Sequence, residues 1–246
     1  MLRPLPERAD RTAREDAACP LGQCDGSGWL PLEDDPNTSH PCDCRERRVN
    51  RAVSVRMGSG IPKRFRGVSF ERKPICDLEP GLLRHVRSFV HRIDERIEAG
   101  DGLWFSGDVG TGKTSLAMLV SKAALEAGRS VAIYSVPRLL AEIKDTYDRD
   151  SDDSYMRLFR RLCSVDVLHL DDLGAERPTE WVLEQLYAIV NERWQDRRSI
   201  IVTSNLVDID ELREQIGPRT VSRLFEICDE PLPLFGADLR SAGSWG

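Results

Sequence analysis

Residues 107–114 read Gly107-Asp108-Val109-Gly110-Thr111-Gly112-Lys113-Thr114, a Gly-x-x-x-x-Gly-Lys-Thr pattern without a mismatch. Each residue type in it has a task that few others can perform. The glycines let the backbone wrap closely around a polyphosphate with amide N–H groups pointing inward. The lysine reaches the outer phosphates, and the threonine hydroxyl can ligate magnesium. The pattern works only between a strand and a helix. Leu103-Trp104-Phe105 reads as a short buried strand, and residues 115–127 read as a helix ended by Gly128. The helix N-terminus at Lys113, Thr114 and Ser115 adds its own attraction for anions. The chain is therefore expected to build an α/β domain around a nucleotide, with residues 107–115 on its phosphates.

The rest of the pattern agrees. From Ile61 onward, strand candidates at 102–106, 131–135, 165–170, 199–203 and 231–235 alternate with helix candidates. The helices fall at 80–99, 113–127, 137–147, 154–162, 179–196 and 208–216. This alternation predicts a three-layer fold, with a central parallel five-stranded sheet covered on both faces. Residues 1–18 are charged and lack a periodic apolar face, which predicts disorder or a frayed helix. The basic stretch at 45–58 reads as a linking helix. No apolar run reaches the length of a membrane span, and the first residues have no apolar signal core. The expected location is cytoplasmic, and no membrane partner is expected. The net charge of −6 argues against nucleic-acid affinity driven by overall charge.

A phosphate loop hydrolyses nothing by itself. The segment 165–172 ends a buried apolar run in Asp171-Asp172. Asp171 is placed to hold magnesium through water, and Asp172 to orient or deprotonate the attacking water. Many related ATPases have Glu at the second position, and Asp is one methylene shorter. Thr203-Ser204-Asn205 closes the next apolar strand, and Asn205 is chosen to position the water. Arg219 and Arg223 stand four residues apart in 217–224 and can share a helix face. They read either as solvated helix arginines or as a source of positive charge for a neighbouring subunit's ATP. Arg240, in Asp238-Leu239-Arg240, is placed to reach the γ-phosphate in its own subunit.

With these elements in order, residues 61–240 resemble the AAA+ ATPases of the DnaC/IstB type, the bacterial and phage helicase-loader group. The lead-in residues 61–70 are similar to the family's segment before its first helix, which packs near the adenine. Leu170-Asp171-Asp172-Leu173-Gly174 has the family's Asp-Asp form. In the segment resembling the family's arginine-finger region, Arg223 aligns best with the finger and Arg219 is a second candidate. Gly236-Ala237-Asp238-Leu239-Arg240 resembles the family's terminal Gly-x-x-x-Arg, with Arg240 in the sensor-2 place. The resemblance implies an AAA+ fold without a C-terminal lid domain and self-assembly through the ATP site. It also implies two partners, a DnaB-type replicative helicase and single-stranded DNA.

Cys19-x4-Cys24 and Cys42-x-Cys44 lie with 17 residues between them, four of the chain's seven cysteines. An odd total fits a reducing compartment better than a disulfide framework. Four thiolates suit tetrahedral zinc, and so short a region cannot bury a core of its own. His40 is an alternative fourth ligand. Residues 1–60 are expected to form a zinc module and linker, and 61–246 the ATPase domain. In helicase loaders of the DnaI-like kind, which this arm resembles, the N-terminal domain binds the helicase. Cys76, Cys163 and Cys228 receive no function.

Between the second and third strands of the domain stand Arg138, Lys144, Arg149, Arg157, Arg160 and Arg161, interleaved with Tyr147, Tyr155 and Phe159. Cations for a backbone and aromatic faces for bases suit single-stranded DNA. Neighbouring acids suit a salt-bridged surface equally well, and both readings stand. The expected function is a magnesium-dependent ATPase that delivers a replicative helicase to DNA. The alternatives are an IstB-type transposition helper and a nucleotide-gated adaptor with little turnover.

Overall fold

The strand–loop–helix unit expected around residue 107 is the centre of the computed structural model, which describes residues 19–32, 35–56, 60–147 and 152–239. In chain order these build a hairpin, β1 (Trp29–Leu32) and β2 (Asp35–Pro41), and a helix, α1 (Asp43–Arg56). Two helices follow, α2 (Pro80–His91) and α3 (Ile93–Ala99). Then come β3 (Leu103–Gly107), α4 (Lys113–Glu126), β4 (Val131–Ser135), α5 (Val136–Tyr147) and α6 (Asp152–Ser164). The chain continues through β5 (Val167–Leu173), α7 (Glu180–Gln195), β6 (Ser199–Ser204), α8 (Ile209–Ile216), α9 (Pro218–Cys228) and β7 (Leu232–Leu234).

Strands β3 to β7 form one five-stranded sheet in the order β4-β5-β6-β3-β7, and every neighbouring pair is parallel. Side chains alternate across it, as the period of two requires. Leu103, Phe105, Val167 and Ile201 join a core with α2, α3 and α4 on one face. Trp104, Leu168, Leu170, Ile200 and Val202 join a second core with α5 to α9 on the other. This is the expected three-layer α/β fold. Because β4 lies at the far edge, away from β3, the chain reverses direction across the sheet beside the phosphate loop. Open parallel sheets bind ligands outside the carboxyl ends of their strands at such a point.

Three local expectations change. The helix read over 80–99 is broken at Arg92, whose φ of −110° and ψ of 34° leave the helical region. The second piece starts with Asp94 and Glu95 in its first turn, where carboxylates favour a helix N-terminus. Arg129 grips that piece, with Nε 2.6 Å from Asp94 Oδ1 and Nη2 2.7 Å from Glu98 Oε1. Helix α9 was read only as a face shared by two arginines. The antiparallel hairpin β1–β2 was not expected. The linking helix is present as α1 and packs on β4: Asn50 Nδ2 donates to the Gly128 carbonyl at 3.1 Å, and the Val131 amide donates to Ser54 Oγ at 2.9 Å. No described helix is long and apolar enough to cross a membrane.

Arg193 ties the base of the sheet together. It follows Val182, Leu186, Ile189 and Val190 on the buried stripe of α7 and is itself 0% exposed. Nη1 donates to the carbonyls of Leu162 (2.7 Å), Val165 (2.9 Å) and Cys163 (3.3 Å). Nη2 donates to Ser199 (2.6 Å) and Asp166 (3.1 Å). Burial pulls its ionisation down to about 9, so the group stays a cation at neutral pH. One side chain thus closes the end of α6 onto the starts of β5 and β6. Arg193→Met keeps the volume and removes these donors from buried carbonyls. Urea denaturation should then show a loss of about 3 kcal/mol or more, since each unsatisfied buried acceptor costs about 1–3 kcal/mol.

Candidate nucleotide site and metal centre

The carboxyl ends of β3, β5 and β6 open into a cavity of about 400 Å³. Its walls include Val109, Gly110, Gly112, Lys113, Thr114 and Ser115 from the loop and α4, with Asp171, Asp172 and Asn205 opposite. Arg64 and Phe65 of the lead-in segment line it too, which puts that segment at the nucleotide cavity. Gly107 has φ +136°, and a Cβ there would collide with the Leu234 carbonyl on β7. No larger residue can pass so close to the neighbouring strand. Gly112 has φ +98° where the loop turns into α4. Thr111 Oγ1 donates across the loop to the Asp108 carbonyl at 2.9 Å.

Lys113 is 5% exposed. Its Nζ donates to the carbonyls of Gly107 (2.9 Å) and Asp108 (2.6 Å), so the cation is held inside the loop that would receive phosphate. Thr114 Oγ1 donates to Asp171 Oδ1 at 3.0 Å, and Thr203 Oγ1 donates to the same oxygen at 2.7 Å. Burial pushes the Asp171 carboxyl up. Contacts with His169, Thr203 and Thr114 outweigh it and hold the group below the ordinary carboxylate value. An ionised carboxylate bridged to a threonine hydroxyl is a donor pair that suits magnesium.

The acidic pair is aimed by a bulge. The register between β5 and β6 shifts between Leu170 and Leu173, which frees Asp171 and Asp172 from pairing with β6, while Asp171 keeps its register with Ser135 of β4. Asp172 takes φ +58°, a left-handed conformation that Asp tolerates better than most residues. Its amide donates to Thr203 Oγ1 at 2.9 Å. Thr203 therefore orders both acids, a role the sequence reading missed by choosing Asn205 alone. Asn205 is exposed and lines the cavity. A hydroxyl at the end of the adjacent strand was a signal for Thr203, but only the register shows which acid it meets.

The arginines stand apart from this cavity on α9. Arg223 lies 3.5 Å from the centroid of Trp194. Its Nη1 is 2.6 Å from Glu226 Oε1, and its Nε donates to Asn191 Oδ1 at 3.4 Å. Arg219 is exposed, 5.9 Å from the centroid of Tyr187. Arg240 lies outside the described residues. The segment before it closes against the phosphate loop, because the Leu239 amide donates to the Gly110 carbonyl at 3.0 Å.

The four cysteines expected as zinc ligands converge. The four sulfurs of Cys19, Cys24, Cys42 and Cys44 all lie within 4.8 Å of one another. Cys19 to Cys42 is 3.9 Å and Cys24 to Cys44 is 3.6 Å. Zinc–sulfur bonds of about 2.3 Å in a tetrahedron require edges of about 3.8 Å, so the cage fits zinc. Backbone hydrogen bonds, first from Cys24, lower the Cys19 thiol to about 6. Burial and the three neighbouring sulfurs push Cys44 up, a conflict that a divalent cation resolves. His40 is exposed on β2 and is not part of the cluster.

In the α5–α6 region the aromatic residues mostly pack on one another. Tyr147 stacks on Tyr155 at 5.6 Å and meets Trp181 edge-on at 6.3 Å, and Tyr155 stacks on Phe159 at 5.9 Å. Tyr155 also donates its hydroxyl to Gln185 Oε1 at 2.9 Å, and Lys144 sits 5.0 Å above Trp181. Arg157, Arg160 and Arg161 line a separate groove shared with Glu142 and Asp145. Arg149 lies outside the described residues.

This geometry has close parallels. The family model described as IstB-like ATP binding protein matches residues 69–221. The replicative helicase loader DnaC of Escherichia coli (strain K12) is 29% identical over 181 residues, covering 72% of each chain. A crystal structure of the DnaC helicase loader superposes with a TM-score of 0.57 at 26% identity, covering 71% of this chain and 99% of that one. AMPPCP-bound DnaA from Aquifex aeolicus shares the fold, with a TM-score of 0.52 at 21% identity over 62% of this chain and 45% of its own. The phosphate loop, the acidic pair on its bulge and the matched span together make this chain a member of the IstB-like ATP-binding proteins, a DnaC/IstB-like AAA+ ATPase.

Proposed function

We propose that this protein is a helicase loader: a magnesium-dependent ATPase that binds a DnaB-type replicative helicase and single-stranded DNA and uses ATP to deliver the one onto the other. The observation that carries the reading is the convergence of Lys113, Thr114, Asp171, Asp172 and Asn205 on one cavity, in a chain that matches the DnaC loader over 181 residues. Residues 107–115 bind the phosphates. Magnesium, held by Thr114 and Asp171, neutralises charge on the phosphates when bound. Lys113 stabilises charge on the transferred group, and Asp172 and Asn205 place the attacking water. The second arginine and the first differ in readiness to serve a neighbouring subunit. Arg219 is exposed, whereas Arg223 must first leave Trp194 and Glu226. Arg240 contributes charge from the chain's own side.

The chain divides at residue 60 into a zinc module that contacts the helicase and the ATPase domain. The groove of Arg157, Arg160 and Arg161 is the cationic track for DNA backbone. Co-purification with the host's replicative helicase tests the reading. The intact chain should retain the helicase, and Cys42→Ser should release it while ATP binding persists. An intact chain that hydrolyses ATP, ignores the helicase and acts on duplex DNA with a transposase would instead be an IstB-type helper.

A further inference from the structure

His169 is a buried polar side chain that the scheme above leaves unused. It stands on β5 two residues before Asp171, so both face α4. Its ring is 0% exposed. Nδ1 lies 2.9 Å from Ser121 Oγ, a side chain on α4 that is also fully buried. Nε2 has no hydrogen-bond partner among the described residues and lies 3.9 Å from Asp171 Oδ1. Packing alone does not account for an imidazole here, because an apolar residue would avoid the unsatisfied nitrogen.

The Ser121 hydroxyl can donate to Nδ1 or accept from it, as the tautomer decides. In the tautomer with the hydroxyl donating, the ring proton sits on Nε2 and points toward the carboxylate. Asp171 Oδ1 already accepts from Thr114 at 3.0 Å and from Thr203 at 2.7 Å. In that tautomer the imidazole N–H is a third donor, held 3.9 Å from an oxygen that already accepts twice.

We propose that His169 is a positioning residue for Asp171: its Nε2–H closes onto Oδ1 and keeps the carboxylate oriented when nucleotide binding draws a threonine hydroxyl away. The proposal rests on the reading of Asp171 as the magnesium-holding carboxylate. Ser121 on α4 fixes the ring, so the helix that carries the phosphate loop also sets the acid across the cavity.

Two substitutions separate the ring nitrogens, because a Gln amide occupies the place of Nε2 and an Asn amide that of Nδ1. His169→Asn should raise the magnesium concentration for half-maximal hydrolysis by about tenfold or more, the usual effect of losing an outer-shell partner. Its affinity for nucleotide without metal should be unchanged. His169→Gln should stay within about twofold of the unsubstituted chain. Equal behaviour of the two variants reduces His169 to packing and overturns the proposal. Ring NMR on the unsubstituted protein decides the matter if the variants do not fold. The Nε2–H signal of His169, one of four histidines, should shift on saturation with magnesium and ADP. A static signal, or a ring protonated on Nδ1, is the contrary result. Asp171→Asn run in parallel guards the premise. If it too leaves the magnesium dependence unchanged, the reading of Asp171 fails rather than that of His169.

Discussion

Lys113→Ala should lower affinity for ATP by about tenfold to a hundredfold in isothermal titration, and turnover by about 10²–10³-fold in a phosphate-release assay. The first figure is the loss of a charge-assisted hydrogen bond, and the second the loss of a fixed donor to charge that grows in the transition state. The structure gives a reason for both. The amine is already desolvated and held by two carbonyls of its own loop, so it needs little reorganisation to meet a phosphate. Alanine also strands those carbonyls, which loosens the loop itself. Arginine substitutions should behave differently. Arg219→Ala together with Arg223→Ala should leave ATP affinity intact and depress turnover, and mixing this variant with Lys113→Ala chains should restore part of it. Turnover unaffected by the double substitution would remove the in-trans role.

The second large effect concerns the metal. Purified protein should carry about one zinc per chain by elemental analysis, and Cys44→Ser should carry almost none. Structural zinc contributes about 10–16 kcal/mol of apparent binding energy in small modules, and that energy is folding energy. Residues 19–44 have little else to hold them: Trp29 and Leu32 are 41% and 42% exposed, and Trp29 rests mainly under the Arg45 guanidinium at 4.1 Å. Hydrogen exchange should therefore rise across the hairpin to the level of an unfolded chain. None of the module's described residues lines the nucleotide cavity, so ATP affinity should be retained. Zinc-free protein with a protected hairpin is the result that rejects the metal.

The sheet and the phosphate loop were legible because each announces itself locally. Short apolar runs alternate with helical stripes, and one loop pattern has a single geometry. The hairpin was not legible, because Pro31, Pro36 and Pro41 read as breakers and the restraint that forms it is four convergent sulfurs rather than periodicity. Helix α9 carries a helical apolar pattern in Val221, Leu224, Ile227 and Cys228, interleaved with its two arginines. Asp171 and Asp172 were visible as a pair after a buried run. The bulge that turns one of them through φ +58°, and Thr203 that holds both, depend on register between strands distant in sequence. Arg193 and His169 did leave a trace, since each is a polar residue where the local pattern calls for an apolar one. Their partners could not be read from one dimension.

Strand β4 lies at the margin of the sheet with β5 on only one side. Such a margin is a template on which another chain can add a strand, and it invites aggregation unless something covers it. Here the cover is α1, whose Ser54 takes the Val131 amide. The fourteen-residue segment that joins the cysteine cage to the ATPase thus also shields the start of an open sheet margin from pairing with its own kind.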